Sequence, residues 1–322
     1  MLTTGVQTGG TASSTGPDAP CRVCARQVAP TFVRRLSPQR EVRRCPSCSV
    51  TGLEPLPTED ELAHHYADYY LTRNKGGSRH DWLIEAHRPI VNWLLARSGG
   101  AGVRSFLDFG CGSGEFLIQV VRQGHLAHAC DLSMRAMTDL QTLAEATGDD
   151  LRAVLYDRLR TDAVRPRFHV ITLFQVIEHL RDPLAVVCTL SRCQAEGDLL
   201  YIECPNDASG LAWFKSQFLF GDRRERMWRS LKYPEHLNGF NEGALRILLE
   251  TAGYRVVMCR DYAYGDGFHQ VESEYWWPAW RHNPDRWTVY GFSRSAIRSV
   301  DGWLSTAFGR GSGLYALARR SS

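Results

Sequence analysis

Four cysteines stand in two pairs, Cys21-Arg-Val-Cys24 and Cys45-Pro-Ser-Cys48. A CxxC knuckle turns tightly enough to aim two thiolates at one point, so two knuckles supply the four ligands of a tetrahedral zinc ion. Residues 25–44 can form the short hairpin of a zinc ribbon, with Phe32, Val33 and Val42 available to pack. Protein would fill all four positions, so the ion is expected to be structural. Arg34, Arg35, Arg40, Arg43 and Arg44 lie between the knuckles, which keeps a nucleic-acid contact open.

A second constellation is the run Leu107-Asp108-Phe109-Gly110-Cys111-Gly112-Ser113-Gly114. An apolar stretch ending in an acid and then GxGxG reads as a buried strand entering a tight loop. Gly110 and Gly112 let backbone N–H groups approach a ligand, and Gly114 lets a helix start against the strand. The helix N-terminus then favours negative charge such as a carboxylate. The dinucleotide fingerprint wants a further Gly or Ala three residues after the second glycine, and Glu115 and Phe116 stand there instead. Asp131, beside Leu132, ends the next apolar run, where it can accept from ribose hydroxyls. Asp157 ends the third, where it can accept from an adenine amino group.

A third group is Gln175-Val-Ile-Glu178-His179, with His236 later in the chain. On a helix, positions 175, 178 and 179 share one face. Three readings stay open for Glu178, His179 and His236. A histidine can serve as general base near neutral pH. The group can hold a divalent ion, although the neutral amide of Gln175 suits a hard cation less than a carboxylate. Or the side chains merely tie down the loops around a ligand.

The elements that must position these residues follow from periodicity. Residues 1–20 have almost nothing to bury and read as a disordered leader. Residues 21–54 carry the ribbon, and 55–100 are a linker and N-terminal helices. Thr58 with Glu61 resembles a capping box, and Trp82, Leu83, Ala86, Ile90, Trp93 and Leu94 follow helical spacing. Over 101–322, apolar runs at 103–109, 127–131, 153–157, 170–174 and 199–203 alternate with helix-like stretches. This is the pattern of an α/β doubly wound parallel sheet. A helix over 242–252 stops at Gly253, and strands are expected at 254–260 and 313–319. The segments 206–240 and 264–308 are long and aromatic. Such insertions either build a substrate site or pack over the core or against a second copy in a homodimer. Trp213, Arg223, Arg224 and Tyr233 are the substrate-contact candidates, the arginines suiting a phosphate or carboxylate.

With the glycine loop, ITLFQVIEHLRDP at 171–183, YIECPN at 201–206 and PEHLNGFNEGALRILLETAGYRVV at 234–257, the segment 80–319 resembles the class I S-adenosylmethionine (SAM)-dependent methyltransferases. The likeness is to the subgroup of the ubiquinone-pathway O-methyltransferases and small bacterial enzymes of sugar and natural-product pathways. It implies a Rossmann-like seven-stranded sheet with the last strand antiparallel and SAM across the carboxyl ends of the first strands. Asp108, Gly110, Gly112, Gly114, Asp131, Leu132 and Asp157 would line the cofactor site. Gln175 would lie beside its methionine part, and an aromatic segment at Tyr66, Tyr69 and Tyr70 would fold over it. In similar enzymes a Glu-x-x-Glu-His pattern with a later histidine binds a divalent ion that activates a hydroxyl. A four-cysteine module resembles that of sugar C-methyltransferases acting on nucleotide-linked sugars.

The 322 residues carry 38 Lys and Arg against 35 Asp and Glu, a net charge of +3. So even a balance makes nucleic acid an unlikely partner and a small molecule the expected one. No apolar run is long enough to span a membrane, and paired cysteines fit a reducing cytoplasm. The expected activity is methyl transfer from SAM to a small organic acceptor of natural-product or saccharide biosynthesis, oxygen favoured over carbon or nitrogen. The alternatives are an RNA methyltransferase with a zinc-ribbon reader, a sugar C-methyltransferase, and a non-catalytic scaffold. The intact glycine loop and Asp131 count against the last.

Overall fold

The computed structural model describes residues 20–62, 64, 65, 84–100, 102–112, 114–131, 138, 140–142, 145, 148, 151–153, 159, 166–217, 227–262, 303 and 310–322. Tyr70, Leu132, Asp157, Arg223, Arg224 and most of the 264–308 insertion lie outside them, as does the leader up to residue 19.

The first hairpin joins β1 (Thr31–Ser37) to β2 (Arg40–Arg44), and β3 (Thr51–Glu54) follows the second cysteine knuckle. A short helical stretch then begins at Glu59. It carries the expected capping box: the Glu61 amide donates to Thr58 Oγ1 at 3.2 Å, and the Thr58 amide to Glu61 Oε2 at 2.8 Å. Helix α1 (Arg88–Ser98) has Pro89 in its first turn and buries Ile90, Val91, Trp93 and Leu94.

The catalytic-size layer is one seven-stranded sheet. Its parallel strands are β4 (Ser105–Phe109), β5 (Leu126–Cys130), β6 (Leu151–Ala153), β7 (Val170–Phe174) and β8 (Leu199–Pro205). Two short hairpin strands follow, β9 (Met227–Trp228) and β10 (Leu231–Lys232), and then β11 (Asn238–Gly239). The chain returns to the large sheet as β12 (Tyr254–Tyr262) and β13 (Gly313–Arg320). The order across the sheet is β12-β13-β8-β7-β4-β5-β6, and β13 runs antiparallel to both neighbours. This is the architecture the resemblance implies.

Helices cover both faces. Helix α2 (Glu115–Arg122) and α1 pack on one face with Phe106, Leu117, Val170, Tyr201 and Leu317. On the other face lie α3 (Pro183–Ser191) and α5 (Glu242–Thr251), against Leu107, Ile171, Leu200 and Ala316. Between these two in sequence stands α4 (Gly210–Gln217). Asp182 caps α3 through the Ala185 amide, and Asn241 caps α5 through the Ala244 amide, each at 2.9 Å. The central strands β4, β7 and β8 are mostly apolar because both faces are covered; each fully buried apolar side chain contributes about 1.5–3 kcal/mol.

The ribbon is not a free appendage. Val23, Cys24, Cys45, Cys48 and Val50 belong to the same core as Ile177, Phe240 and Leu245. Strand β3 pairs antiparallel with β11, so the small sheet reads β1-β2-β3-β11.

Candidate functional site

The glycine loop leaves the carboxyl end of β4 and is tied to the end of β5. The Gly110 amide donates to Cys130 O at 2.7 Å, and the Gly112 amide to Asp131 Oδ2 at 3.1 Å. Gly110 has φ +81°, and a Cβ there would lie 2.4 Å from Val176 Cγ2. Gly114 has φ +83° and would meet Leu140 Cδ1 at 1.9 Å. Neither position tolerates a side chain, so the loop is held open by absence of one. Asp108 is turned into the sheet, where Thr172 Oγ1 donates to its Oδ1 at 2.7 Å. Burial pushes its carboxyl up to about 7, against the Thr172 hydrogen bond. It therefore ties β4 to β7 inside the sheet, while Asp131 stands at the end of β5.

The second cluster sits one step away, because Val176 both packs on Gly110 and opens the next turn. The segment Ile177–His179 is a single 3-10 turn, not the start of a helix, and Gln175 has φ +56°. The helical face expected to join 175, 178 and 179 therefore does not form at Gln175. Glu178 and His179 do meet His236: their ligand-type atoms lie within 4.8 Å of one another. His179 Nε2 is 3.6 Å from Glu178 Oε1, and the two imidazole rings are 4.7 Å apart, edge to face.

Hydrogen bonds settle the tautomers. His179 Nδ1 is 3.0 Å from Glu235 O, and His236 Nδ1 is 2.9 Å from Ser230 O. A carbonyl only accepts, so each Nδ1 carries the proton and each Nε2 the lone pair. Burial pushes His179 down to about 4, helped by His236 and opposed by Glu235. Burial lowers His236 too, against Glu235. Glu178 is 2% exposed, and among the described residues neither of its carboxylate oxygens has a hydrogen-bond partner. Burial raises it to about 8, its own amide opposing and Glu235 adding.

A family model described as a methyltransferase domain matches residues 41–258. The chain belongs to this methyltransferase-domain family. The ubiquinone biosynthesis O-methyltransferase of Nitrosomonas europaea is 27% identical over 158 residues, 48% of this chain and 63% of that protein. The enzyme of the same name from Ralstonia nicotianae is 30% identical over 133 residues, 39% of this chain and 50% of that one. The methyltransferase thus spans about half to two thirds of the length of these relatives. A Burkholderia thailandensis 1,6-didemethyltoxoflavin-N1-methyltransferase, solved with 1,6-didemethyltoxoflavin and S-adenosylhomocysteine (SAH), shares the fold. Its TM-score is 0.51 at 15% identity, over 91% of this chain and 99% of that one.

In the methyltransferase the four cysteines converge. Cys21 Sγ is 3.7 Å from Cys48 Sγ and Cys24 Sγ 3.8 Å from Cys45 Sγ. A ZnS4 tetrahedron with bonds of about 2.3 Å has edges of about 3.8 Å. The Cys48 thiol holds Cys21 below the ordinary thiol range, while burial pushes Cys24 up. Trp213 stands half-exposed on α4. Tyr233 is engaged with the ribbon side: its hydroxyl donates to Glu61 Oε1 at 2.6 Å and Arg40 stacks on its ring at 3.5 Å. Glu235 was not singled out by sequence reading. It is 6% exposed, places Oε1 3.8 Å from His236 Nε2 and accepts from Lys232. The only signal was its adjacency to His236.

Proposed function

We propose that the enzyme methylates a hydroxyl of a small organic acceptor, and that Glu178, His179 and His236 form the acceptor-activating site with a divalent ion. The observation that carries this reading is Glu178. A buried carboxyl group whose oxygens have no hydrogen-bond partner among the described side chains, 3.6 Å from His179 Nε2 and clustered with His236, is a costly arrangement that a cation would complete. Both imidazoles donate Nδ1–H to a backbone carbonyl, the outer arrangement that orients metal-ligating histidines. An ion held there would supply Lewis acidity toward the acceptor oxygen and lower its pKa.

The chain's own residues do the rest. Gly110 and Gly114 let the donor loop turn against Val176 and Leu140 where no side chain fits, and Asp131 offers a carboxylate for the ribose hydroxyls. SAM, when bound, supplies the electrophilic methyl group. Val176 links that loop to the Glu178 turn, so donor and acceptor sites adjoin. His179 and His236, neutral near pH 7, offer Nε2 as acceptors of the hydroxyl proton if no ion is present. The name of the curated relatives supports oxygen over carbon or nitrogen. Trp213, Arg223, Arg224 and Tyr233 are proposed for the acceptor side, and Tyr70, Leu132, Asp157 and Gln175 for SAM.

The four Sγ atoms support a structural zinc ion held by Cys21, Cys24, Cys45 and Cys48. Ten cysteines without a disulfide support a reducing cytoplasm. No helix among the described residues is long and apolar enough to cross a membrane. The acceptor is proposed to come from natural-product or saccharide biosynthesis. Arg40 and Arg34 stack on Tyr233 and Trp228 of the same chain, which favours a small acceptor over RNA.

The test is transfer of label from methyl-labelled SAM into separated small-molecule and RNA fractions of a cell extract, with Mg2+ or Mn2+ and with chelator. Label in small molecules as a methyl ether, lost on chelation and in Glu178→Gln, is the expected result. Label in RNA, or turnover indifferent to chelation, would overturn it.

A further inference from the structure

The ribbon has a purpose that its zinc motif alone does not reveal. Its hydrophobic centre, Leu36, Val42 and Leu53, is completed by Leu231 of β10, with Trp228 and Tyr233 packed against it. Arg34 lies 4.6 Å from the Trp228 ring centroid, and Arg40 covers Tyr233. The ribbon therefore holds the segment 227–239, and that segment carries His236.

The closest link is Arg22, inside the first cysteine knuckle. Its Nε donates to Asn238 Oδ1 at 2.7 Å and its Nη2 to Leu237 O at 3.3 Å. Its own carbonyl accepts from the Leu184 amide at 3.2 Å, at the start of α3. Asn238 Nδ2 in turn donates to Leu180 O at 2.7 Å and Glu178 O at 3.4 Å. The Leu237 amide donates to Glu178 O at 2.8 Å, and the Leu53 amide to Leu237 O at 3.2 Å. Leu237 and Asn238 are thus gripped from the ribbon by Arg22 and Leu53 and from the active-site turn by Glu178 and Leu180. His236 directly precedes them. Gly52 leaves the space: a Cβ there would lie 2.3 Å from Arg22 Nη2.

We propose that the zinc ribbon is a positioning element of the catalytic site, with Arg22 as the residue that sets His236 against Glu178 and His179. None of these hydrogen bonds involves the glycine loop, so SAH binding is expected to persist when the grip is loosened. Ion binding at Glu178, His179 and His236 is the reading given under Proposed function, and one arm of the test rests on it.

The experiment uses the full zinc-loaded chain and compares wild type with Arg22→Gln and with the milder Gly52→Ala, which keeps the arginine but intrudes on its guanidinium. Three quantities are measured: SAH affinity by calorimetry, Mn2+ affinity by electron paramagnetic resonance, and hydrogen exchange over residues 236–239. Zinc content near one per chain and SAH affinity within twofold of wild type are expected. Mn2+ affinity should fall at least tenfold, and exchange at 236–239 should accelerate at least tenfold. Unchanged exchange and Mn2+ affinity in both variants would overturn the proposal. So would a parallel fall of SAH and Mn2+ affinity, which marks general loosening. If wild type binds no Mn2+, the ion reading fails by itself, and the exchange arm alone decides the positioning role.

Discussion

The Asp131 carboxylate accepts from the Gly112 amide at 3.1 Å, joining the end of β5 to the loop that leaves β4. One acid thereby helps to shape the glycine loop, and it is the acid proposed to meet the ribose of SAM. A charge-assisted hydrogen bond contributes about 1.5–3 kcal/mol. Asp131→Asn should weaken SAH binding roughly tenfold to a hundredfold while leaving the melting temperature of the unliganded protein within a few degrees. Calorimetric titration with SAH checks this. An affinity equal to wild type would remove Asp131 from the cofactor site.

Gly110→Ala tests how the glycine loop and the Glu178 turn share space. The new methyl would lie 2.4 Å from Val176 Cγ2 at a backbone φ of +81°. Strain and clash together should abolish detectable SAH binding and move the Glu178 turn. A variant that bound SAH normally would show that the loop and Val176 are not packed as described.

The four-cysteine cluster predicts one zinc ion per chain in the purified protein, by elemental analysis. Cys45→Ser should lose that zinc and destabilise the whole catalytic domain, because Cys45 and Cys48 lie in its main core. Cooperative unfolding at an unchanged midpoint in the zinc-free variant would contradict this.

Glu203 gives a pH dependence. It is buried at the end of β8, accepts from Tyr201 at 2.5 Å, and burial pushes it up to about 8 from the model-peptide 4.5. Below pH 4.5 it is protonated folded and unfolded. As pH rises toward 8 the unfolded chain ionises and the folded one does not, so its contribution to stability is lost through that window. Asp108, raised to about 7, acts in the same direction. The melting temperature should fall from pH 5 to pH 8, and fall less in Glu203→Gln, which can still accept from Tyr201. Equal slopes would show that Glu203 ionises freely.

Gly239→Ala probes the seam between ribbon and catalytic domain. A Cβ there would meet Thr51 Oγ1 at 2.3 Å and Asp207 Cγ at 2.8 Å. Asp207 Oδ2 accepts from Thr51 Oγ1 at 2.9 Å, and its Oδ1 from Ser230 Oγ at 2.8 Å. Overpacking costs about 1–3 kcal/mol, so a lower denaturation midpoint is expected. An unchanged midpoint would mean that the seam yields freely.

Much was legible in the chain itself. Periodicity located β4, β5, β7, β8, β12, β13 and α5, because burial makes sheet strands mostly apolar; the strand expected at 153–157 meets β6 (Leu151–Ala153) only at Ala153, and 154–157 lie outside the described residues. Thr58 and Glu61 announced their capping box. The failure at Gln175 has a local cause: a residue at φ +56° cannot lie on a regular helix, and nothing in its type signalled that. Glu235 and Arg22 were missed because their partners, His236 and Asn238, matter through tertiary contacts.

By itself the sequence determined a glycine loop after an apolar strand, with glycines at 110 and 114 and an acid at 131, and the alternation of strands and helices. These are local requirements of turn geometry and burial, so they are written in residue type and spacing. It also determined that four thiols can converge, since CxxC geometry is local. Only the tertiary structure decided that Glu178 is buried beside His179 and His236, that both imidazole Nδ1 atoms face backbone carbonyls, and that Arg22 reaches Asn238. Those facts join residues far apart in the chain. Burial and contact energies emerge only once β3 has paired with β11.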